Sequence, residues 1–123
     1  MKELTKAEEQ VMQILWTRKK SFVKEILEDM SEPKPAYNTV STIIRILENK
    51  GFVDHEVFGK SHRYYPKVAK EDYRAFSAEQ LMKGYFDASP SSMLSFFLKE
   101  KSLNSGDLDE MLKMIEEAKN KKK

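Results

Sequence analysis

The segment PAYNTVSTIIRILENKG, residues 35–51, restricts the fold of this chain more than any other stretch. An apolar stripe at helical spacing predicts a short helix with one buried face. The stripe consists of Val40, Ile43, Ile44 and Leu47. The opposite face carries short polar groups and one cation, whereas a helix that is merely solvated usually carries longer charged side chains. Gly51, preceded by Lys50, suits the left-handed position after a helix and predicts its end.

A β-hairpin pattern follows this helix without a linker. Phe52 to Phe58 alternates imperfectly between apolar and polar residues, Gly59-Lys60-Ser61 supplies a turn, and His62 to Pro66 returns as a second strand. The order of a polar-faced helix and then a basic hairpin is typical of a DNA-reading winged helix.

Two further helices are predicted before the two-faced helix. The first begins after Thr5, which forms a T-x-x-E capping box with Glu8, and the second covers about residues 23–30. Three helices joined by short turns and followed by a hairpin predict a winged helix-turn-helix over residues 1–69.

The composition changes at about residue 69, and residues 70–123 predict three more helices. These helices hold more apolar side chains than they can cover alone, and such a patch usually marks an interface. We therefore expect this region to form a homodimer. The expected dimer contacts are Tyr73, Phe76, Leu94, Phe97, Leu98, Leu108, Leu112 and Ile115. The predicted fold class is mostly α with a small β-hairpin: an N-terminal winged helix-turn-helix and a C-terminal helical dimerisation region.

Composition and missing motifs exclude several classes of function. The net charge of +2 is small for a nucleic-acid binder, so the placement of the charges must carry that argument. The chain has no cysteine, which excludes disulfides and fits a cytoplasmic protein. No apolar run approaches the roughly 18 residues of a membrane span, so no membrane partner is expected. P-loop, G-x-G-x-x-G and G-x-S-x-G motifs are absent, so we expect no enzyme and no cofactor.

The expected partner is double-stranded DNA. The helix residues expected to contact it are Asn38, Thr39, Ser41, Thr42 and Arg45, because short hydrogen-bonding side chains fit the major groove. The alternative is an ordinary solvated helix face. On the hairpin, Lys60 and Arg63 are expected to bind phosphates, although cations also protect an exposed hairpin edge. Lys6 or Tyr37 would add phosphate contacts.

Two other features have simpler interpretations. His55 and His62 flank the hairpin turn, but no ligand cluster surrounds them at metal-site spacing along the chain, so no metal site is expected. The Phe- and Met-rich segment from Met93 to Leu98 could line a ligand pocket, but such a stripe is more often dimer core.

The chain resembles the BlaI/MecI/CopY family of bacterial repressors over nearly its whole length. The matching segments are LTKAEEQVMQILW (4–16), VKEILEDM (23–30), YNTVSTIIRILENKGFV (37–53), GKSHRYYP (59–66) and the region from Tyr73 to Glu117. The resemblance implies a homodimeric repressor that binds a palindromic operator through its winged helix. It further implies an inactivating protease that cuts an Asn–Phe bond within the segment matching 93–98. The aligned pair here is Phe96-Phe97, so the asparagine is missing. Copper sensing through a cysteine motif is excluded.

Two alternatives stay open at this point. A winged helix can serve as a protein-interaction module without DNA binding, because a fold does not fix a function. A small-molecule-sensing regulator would need a cavity lined by residues such as Tyr73, Phe76 and Phe97.

Overall fold

The computed structural model describes residues 1–122, and within them six helices and one antiparallel hairpin follow the order ααα-ββ-ααα. The elements are α1 (Lys6–Arg18), α2 (Val23–Asp29), α3 (Tyr37–Asn49), β1 (Val53–Phe58), β2 (Ser61–Pro66), α4 (Lys70–Tyr85), α5 (Pro90–Glu100) and α6 (Ser105–Lys121). The chain forms two compact units, one from Met1 to Ala78 and one that begins at Glu79. The division therefore falls inside α4.

The ends of the first helices follow from local hydrogen bonds. The predicted capping box of α1 is present: Thr5 Oγ1 accepts from the Glu8 N–H at 3.2 Å, and Glu8 Oε1 accepts from the Thr5 N–H at 2.9 Å. At the end of α3, Gly51 adopts a φ of 84°, in the left-handed region that favours glycine. The chain can therefore turn directly from α3 into β1.

One apolar core joins α1, α2, α3 and the hairpin. Its fully buried members include Val11, Met12, Leu15, Ile26, Val40, Ile44, Leu47, Phe52 and Val53. Full burial of a large apolar side chain contributes roughly 1.5–3 kcal/mol to folding. The predicted inward stripe of α3 is largely confirmed, because Val40, Ile44 and Leu47 are buried and Ile43 is half-buried.

The hairpin is a two-stranded ladder with a short edge partner. Residues Val53 to Phe58 pair with Pro66 to Ser61, and Gly59 has a φ of 59° at the turn. Ser21, between α1 and α2, exchanges both backbone hydrogen bonds with Tyr64, at 2.9 and 2.8 Å. This bridge fixes the hairpin to the helices and completes the predicted winged helix-turn-helix arrangement.

Two residues expected at a dimer contact pack within the first unit. Tyr73 is buried in the core of the first unit, where its ring lies 5.6 Å from Phe52 and 6.1 Å from Trp16, centroid to centroid. Phe76 packs against the same core. The physical reason is that the first turns of α4 complete the core that α1 and the hairpin leave open on this side.

The second unit holds apolar side chains that its own helices do not bury. None of residues 90–100 and 105–121 is buried. The remaining residues expected at the dimer contact are exposed: Leu94, Phe97, Leu98, Leu108, Leu112 and Ile115. An apolar hollow of about 460 Å³ lies among Leu81, Tyr85, Phe86, Phe96 and Phe97.

Candidate nucleic-acid interface

The polar face of α3 points away from the core. Asn38, Thr42, Arg45 and Asn49 succeed one another at steps of three or four residues, so they share one helix face. All four are exposed, and this face lies opposite the buried apolar stripe of the same helix. An exposed row of amide, hydroxyl and guanidinium groups can donate to and accept from base edges.

Internal hydrogen bonds hold two of these side chains. Ser41 is half-buried beside the row, and its Oγ accepts from Arg45 Nη2 at 3.2 Å. Thr42 Oγ1 donates to the Asn38 carbonyl at 2.9 Å, which orients the Thr42 side chain. Thr39 lies on the other side of the row, in a groove shared with Gln13 of α1. The five helix residues predicted to contact DNA therefore lie in three adjacent rows along α3 and not in a single row.

An open groove of about 660 Å³ separates α3 from the hairpin. From α3 it is lined by Tyr37, Ser41 and Arg45, and from the hairpin by Phe58, Lys60 and His62. Lys24 of α2 lines the same groove. The groove thus has cations on three of its elements, which suits a polyanionic ligand.

The two predicted hairpin cations differ in their surroundings. Lys60 is exposed at the turn, where its ammonium can reach a phosphate. Arg63 is half-buried, and its guanidinium lies over the Phe58 ring at 6.0 Å from the centroid. The Arg63 Nε is buried and has no hydrogen-bond partner within residues 1–122. The Arg63 side chain therefore supports the hairpin as well as adding positive charge.

Tyr64 shows how closely α3 and the hairpin approach each other. Its side chain is buried, and this burial raises the pKa of the hydroxyl; the negative charge of Glu48 on α3 raises the pKa further. The positive charge of Arg45 acts in the opposite direction. Two charged groups of α3 therefore lie close enough to one hydroxyl of β2 to act on its pKa, so α3 and the hairpin are close neighbours at this point.

The structure adds interface residues that the sequence analysis did not name. Asn49 continues the exposed row of α3, four residues after Arg45, and this spacing could have identified it. Lys24 joins the groove only through tertiary structure, so no local pattern indicates it. Of the other predicted phosphate contacts, Tyr37 is exposed at the groove and Lys6 is exposed at the start of α1.

The two histidines lie in a setting that their spacing along the chain did not indicate. The rings of His55 and His62 stack with their centroids 4.1 Å apart and their planes 7° from parallel. His55 Nδ1 contacts Glu48 Oε2 at 2.5 Å and lies 4.0 Å from Asp54 Oδ1. Spacing along the chain does not reveal this contact, because the turn at Gly51 brings Glu48 and His55 together.

Comparison with known proteins gives a consistent result along the whole chain. The model of the family described as "Penicillinase repressor" matches residues 4–117. The penicillinase repressor of Bacillus licheniformis is 25% identical over 122 residues, which cover 98% of this chain and 95% of that protein. The methicillin resistance regulatory protein MecI of Staphylococcus aureus (strain N315) is 25% identical over 114 residues, which cover 92% of this chain and 93% of that protein.

A solved structure matches the first part of the chain. The solution structure of the DNA binding domain of the repressor BlaI superposes with a TM-score of 0.51 at 26% sequence identity. The match covers 59% of this chain and 94% of that domain.

None of the helices in residues 1–122 combines the length and the apolar character that a membrane span requires.

Proposed function

The chain belongs to the penicillinase repressor family, and from this premise we propose that it is a DNA-binding transcriptional repressor that acts as a homodimer on a palindromic operator. Its relatives are named for repression and regulation, not for catalysis, and the protein is not an enzyme. The proposed partners are double-stranded DNA and a second copy of this chain.

The observation that carries the proposal is the surface formed by α3 and the hairpin. The exposed row of α3 lies beside a groove whose three elements each contribute a cation: Lys24, Arg45 and Lys60. Phosphate contacts fix the position of a protein on DNA, and base contacts supply the specificity. A surface with both kinds of group side by side supports DNA as the ligand despite the small net charge of the chain.

We assign separate roles to the two parts of this surface. Asn38, Thr39, Ser41, Thr42 and Arg45 enter the major groove, with Asn49 at the end of the row. Lys60 binds a phosphate on the flank of the groove, and Arg63 adds positive charge behind it. Lys24 and Tyr37 line the path that a phosphate backbone would take between α3 and the hairpin.

The exposed apolar side chains of α5 and α6 support the homodimer. Leu98, Leu112 and Ile115 are each close to half exposed, and covering them in water is favourable. Two copies related by a twofold axis would present two α3 helices to successive major grooves, about 34 Å apart. The operator is then a dyad whose half-site spacing the dimer sets.

A mobility-shift assay with the promoter region of the chain's own gene tests the proposal. We expect one retarded species at moderate salt, lost when either half of the dyad is scrambled and unchanged when only the sequence between the halves is altered. Binding that ignores the dyad, or no binding to DNA, would overturn the proposal. A folded dimer that binds no DNA would instead favour a winged helix used for protein interaction.

A further inference from the structure

The most informative group of side chains outside the proposed base contacts lies where α3 meets the hairpin. Glu48, Asp54 and His55 each offer one ligand atom, and the three atoms lie within 4.8 Å of one another. All three residues are half-buried, so their side chains are partly fixed yet can be reached from solvent. The group combines one imidazole nitrogen with two carboxylate oxygens, which distinguishes it from a simple cluster of acids.

The three ligand residues come from two elements, Glu48 from α3 and the consecutive Asp54 and His55 from β1. Glu48 is on the last turn of α3, and the left-handed turn at Gly51 returns the chain so that β1 passes this turn. The Asp54 Oδ1 accepts from the His55 backbone N–H at 2.8 Å, which orients the carboxylate towards the same space as the imidazole. The path of the backbone brings Glu48 and His55 together, whereas Asp54, the residue before His55 in β1, reaches the group through the rotamer that this hydrogen bond holds.

The distances fit a small divalent cation after a modest adjustment. Zinc binds imidazole nitrogen and carboxylate oxygen at about 2.0–2.2 Å, which places two ligand atoms of a tetrahedral site about 3.4 Å apart. His55 Nδ1 and Glu48 Oε2 are 2.5 Å apart, so they must separate by about 0.9 Å to admit the ion. The Asp54 Oδ1, 4.0 Å from His55 Nδ1, must approach this nitrogen by about 0.6 Å, which a small side-chain rotation provides.

His62 is not a ligand in this arrangement. A metal ion lies in the plane of the imidazole that binds it, and the His62 ring is parallel to the His55 ring at 4.1 Å. The His62 lone pairs therefore point past an ion held by His55. These are the two histidines of the chain, and no cysteine competes with them.

We propose that Glu48, Asp54 and His55 form a binding site for a divalent transition-metal ion, zinc above all, which links the end of α3 to the first strand of the hairpin. One nitrogen and two oxygen ligands leave at least one coordination position for water. The bound ion would offset the charge of the two carboxylates and brace the hairpin against α3. The site is a property of the free protein and does not depend on the proposed function.

Zinc titration of the full chain, prepared without a histidine tag and followed by calorimetry, tests the proposal. We expect one saturable site per chain. The His55→Gln variant is expected to weaken zinc binding by at least about tenfold, as loss of a ligand should cost no less than loss of an outer-sphere partner. The His62→Gln variant is the matched control, because it removes the stacked imidazole and leaves all three ligands; its affinity should stay close to that of the unchanged protein.

A second pair of measurements keeps the result interpretable. Circular dichroism melts establish whether each variant is folded. If the His55→Gln variant does not fold, Glu48→Gln removes a different ligand and tests the same site. In NMR spectra, zinc should shift the His55 ring signals more than those of His62. Equal weakening by both histidine variants, or no saturable binding to the unchanged protein, would overturn the proposed site.

Discussion

The ammonium of Lys50, at the end of α3, donates to Oε1 of Glu8, in the first turn of α1, over 2.7 Å. The same Glu8 oxygen accepts from the Thr5 backbone N–H. Glu8 is only 4% exposed, so this carboxylate is a buried charge with two hydrogen-bond donors. One side chain thus caps α1 and ties its start to the end of the helix that carries the proposed base contacts.

The Glu8→Gln substitution should lower the free energy of unfolding at neutral pH by about 1.5–3 kcal/mol, the range for hydrogen bonds to charged groups. Burial raises the pKa of the Glu8 carboxyl, but the hydrogen bonds from Lys50 and Thr5 outweigh it, so the pKa lies below the ordinary value of 4.5. The stabilisation is therefore fully present above pH 4.5 and is lost as the pH falls through the lowered pKa.

Urea unfolding at several pH values measures this effect. The matched control is Glu9→Gln, which removes the same charge from an exposed neighbouring position. The difference in the free energy of unfolding between the Glu8→Gln variant and the unchanged protein should become smaller below pH 4.5. The Glu9→Gln variant should differ little from the unchanged protein at any of these pH values. If the difference in the free energy of unfolding stayed constant across this pH range, the stabilising role of the ionised Glu8 carboxylate would be wrong.

Arg45→Ala should relax the sequence preference of DNA binding. The side chain is exposed in the middle of the α3 row and is oriented by Ser41. If Arg45 hydrogen bonds to a base, its loss should cost about 1–3 kcal/mol on the operator and much less on unrelated DNA. Competition mobility shifts with single-base operator variants should identify one position at which discrimination disappears.

Lys60→Ala should weaken binding to every sequence alike. Lys60 is exposed at the hairpin turn, where it is suited to a phosphate contact that carries no sequence information. The slope of log affinity against log salt should fall by about one. If Arg45→Ala and Lys60→Ala gave the same salt slope and the same loss on all sequences, the division of roles between helix and hairpin would be wrong.

Local sequence patterns predict much of the first unit and little of its tertiary connections. The capping box at Thr5, the inward stripe of α3 and the glycine turn at Gly51 are each set within a few neighbouring residues, so the sequence analysis identifies them. The Ser21–Tyr64 bridge and the Lys50–Glu8 contact join residues that are distant along the chain. Linear spacing carries no information about such contacts.

The same distinction explains the candidate site. The helix residues of the interface follow from the periodicity of α3, whereas Lys24 and the cluster around His55 depend on how the hairpin folds back. Tyr73 follows the composition change, and its position in the sequence predicts a dimer contact. Local sequence shows that α4 carries apolar side chains, but not which neighbour covers them.

Tyr73→Phe should destabilise the first unit without changing the oligomeric state. The Tyr73 hydroxyl accepts from the Leu4 backbone N–H at 2.9 Å, and its removal leaves this donor without its partner. We expect a loss of about 1 kcal/mol in the free energy of unfolding. Tyr85→Phe is the matched control, since Tyr85 is 81% exposed. If sedimentation showed that the Tyr73→Phe variant dissociates and the Tyr85→Phe variant does not, Tyr73 would have a direct role in the dimer contact.

Leu112→Lys should shift the proposed homodimer towards monomer. Leu112 lies on α6 with Leu108 and Ile115 at helical spacing, and its side chain is 58% exposed in the single chain. If a second copy covers this stripe, the substitution places a charge in an apolar contact, which costs far more than on a solvated face. Because half-sites would then bind singly, the affinity for the dyad should fall with the dimer.

Analytical ultracentrifugation over a range of protein concentrations measures this shift. Glu117→Lys introduces the same side chain on the opposite face of α6 and should leave the dimer intact. The circular dichroism of both variants should match that of the unchanged protein, because neither position is buried within the chain. Two variants that dissociate equally, or a Leu112→Lys variant that stays dimeric, would place the dimer contact on another surface.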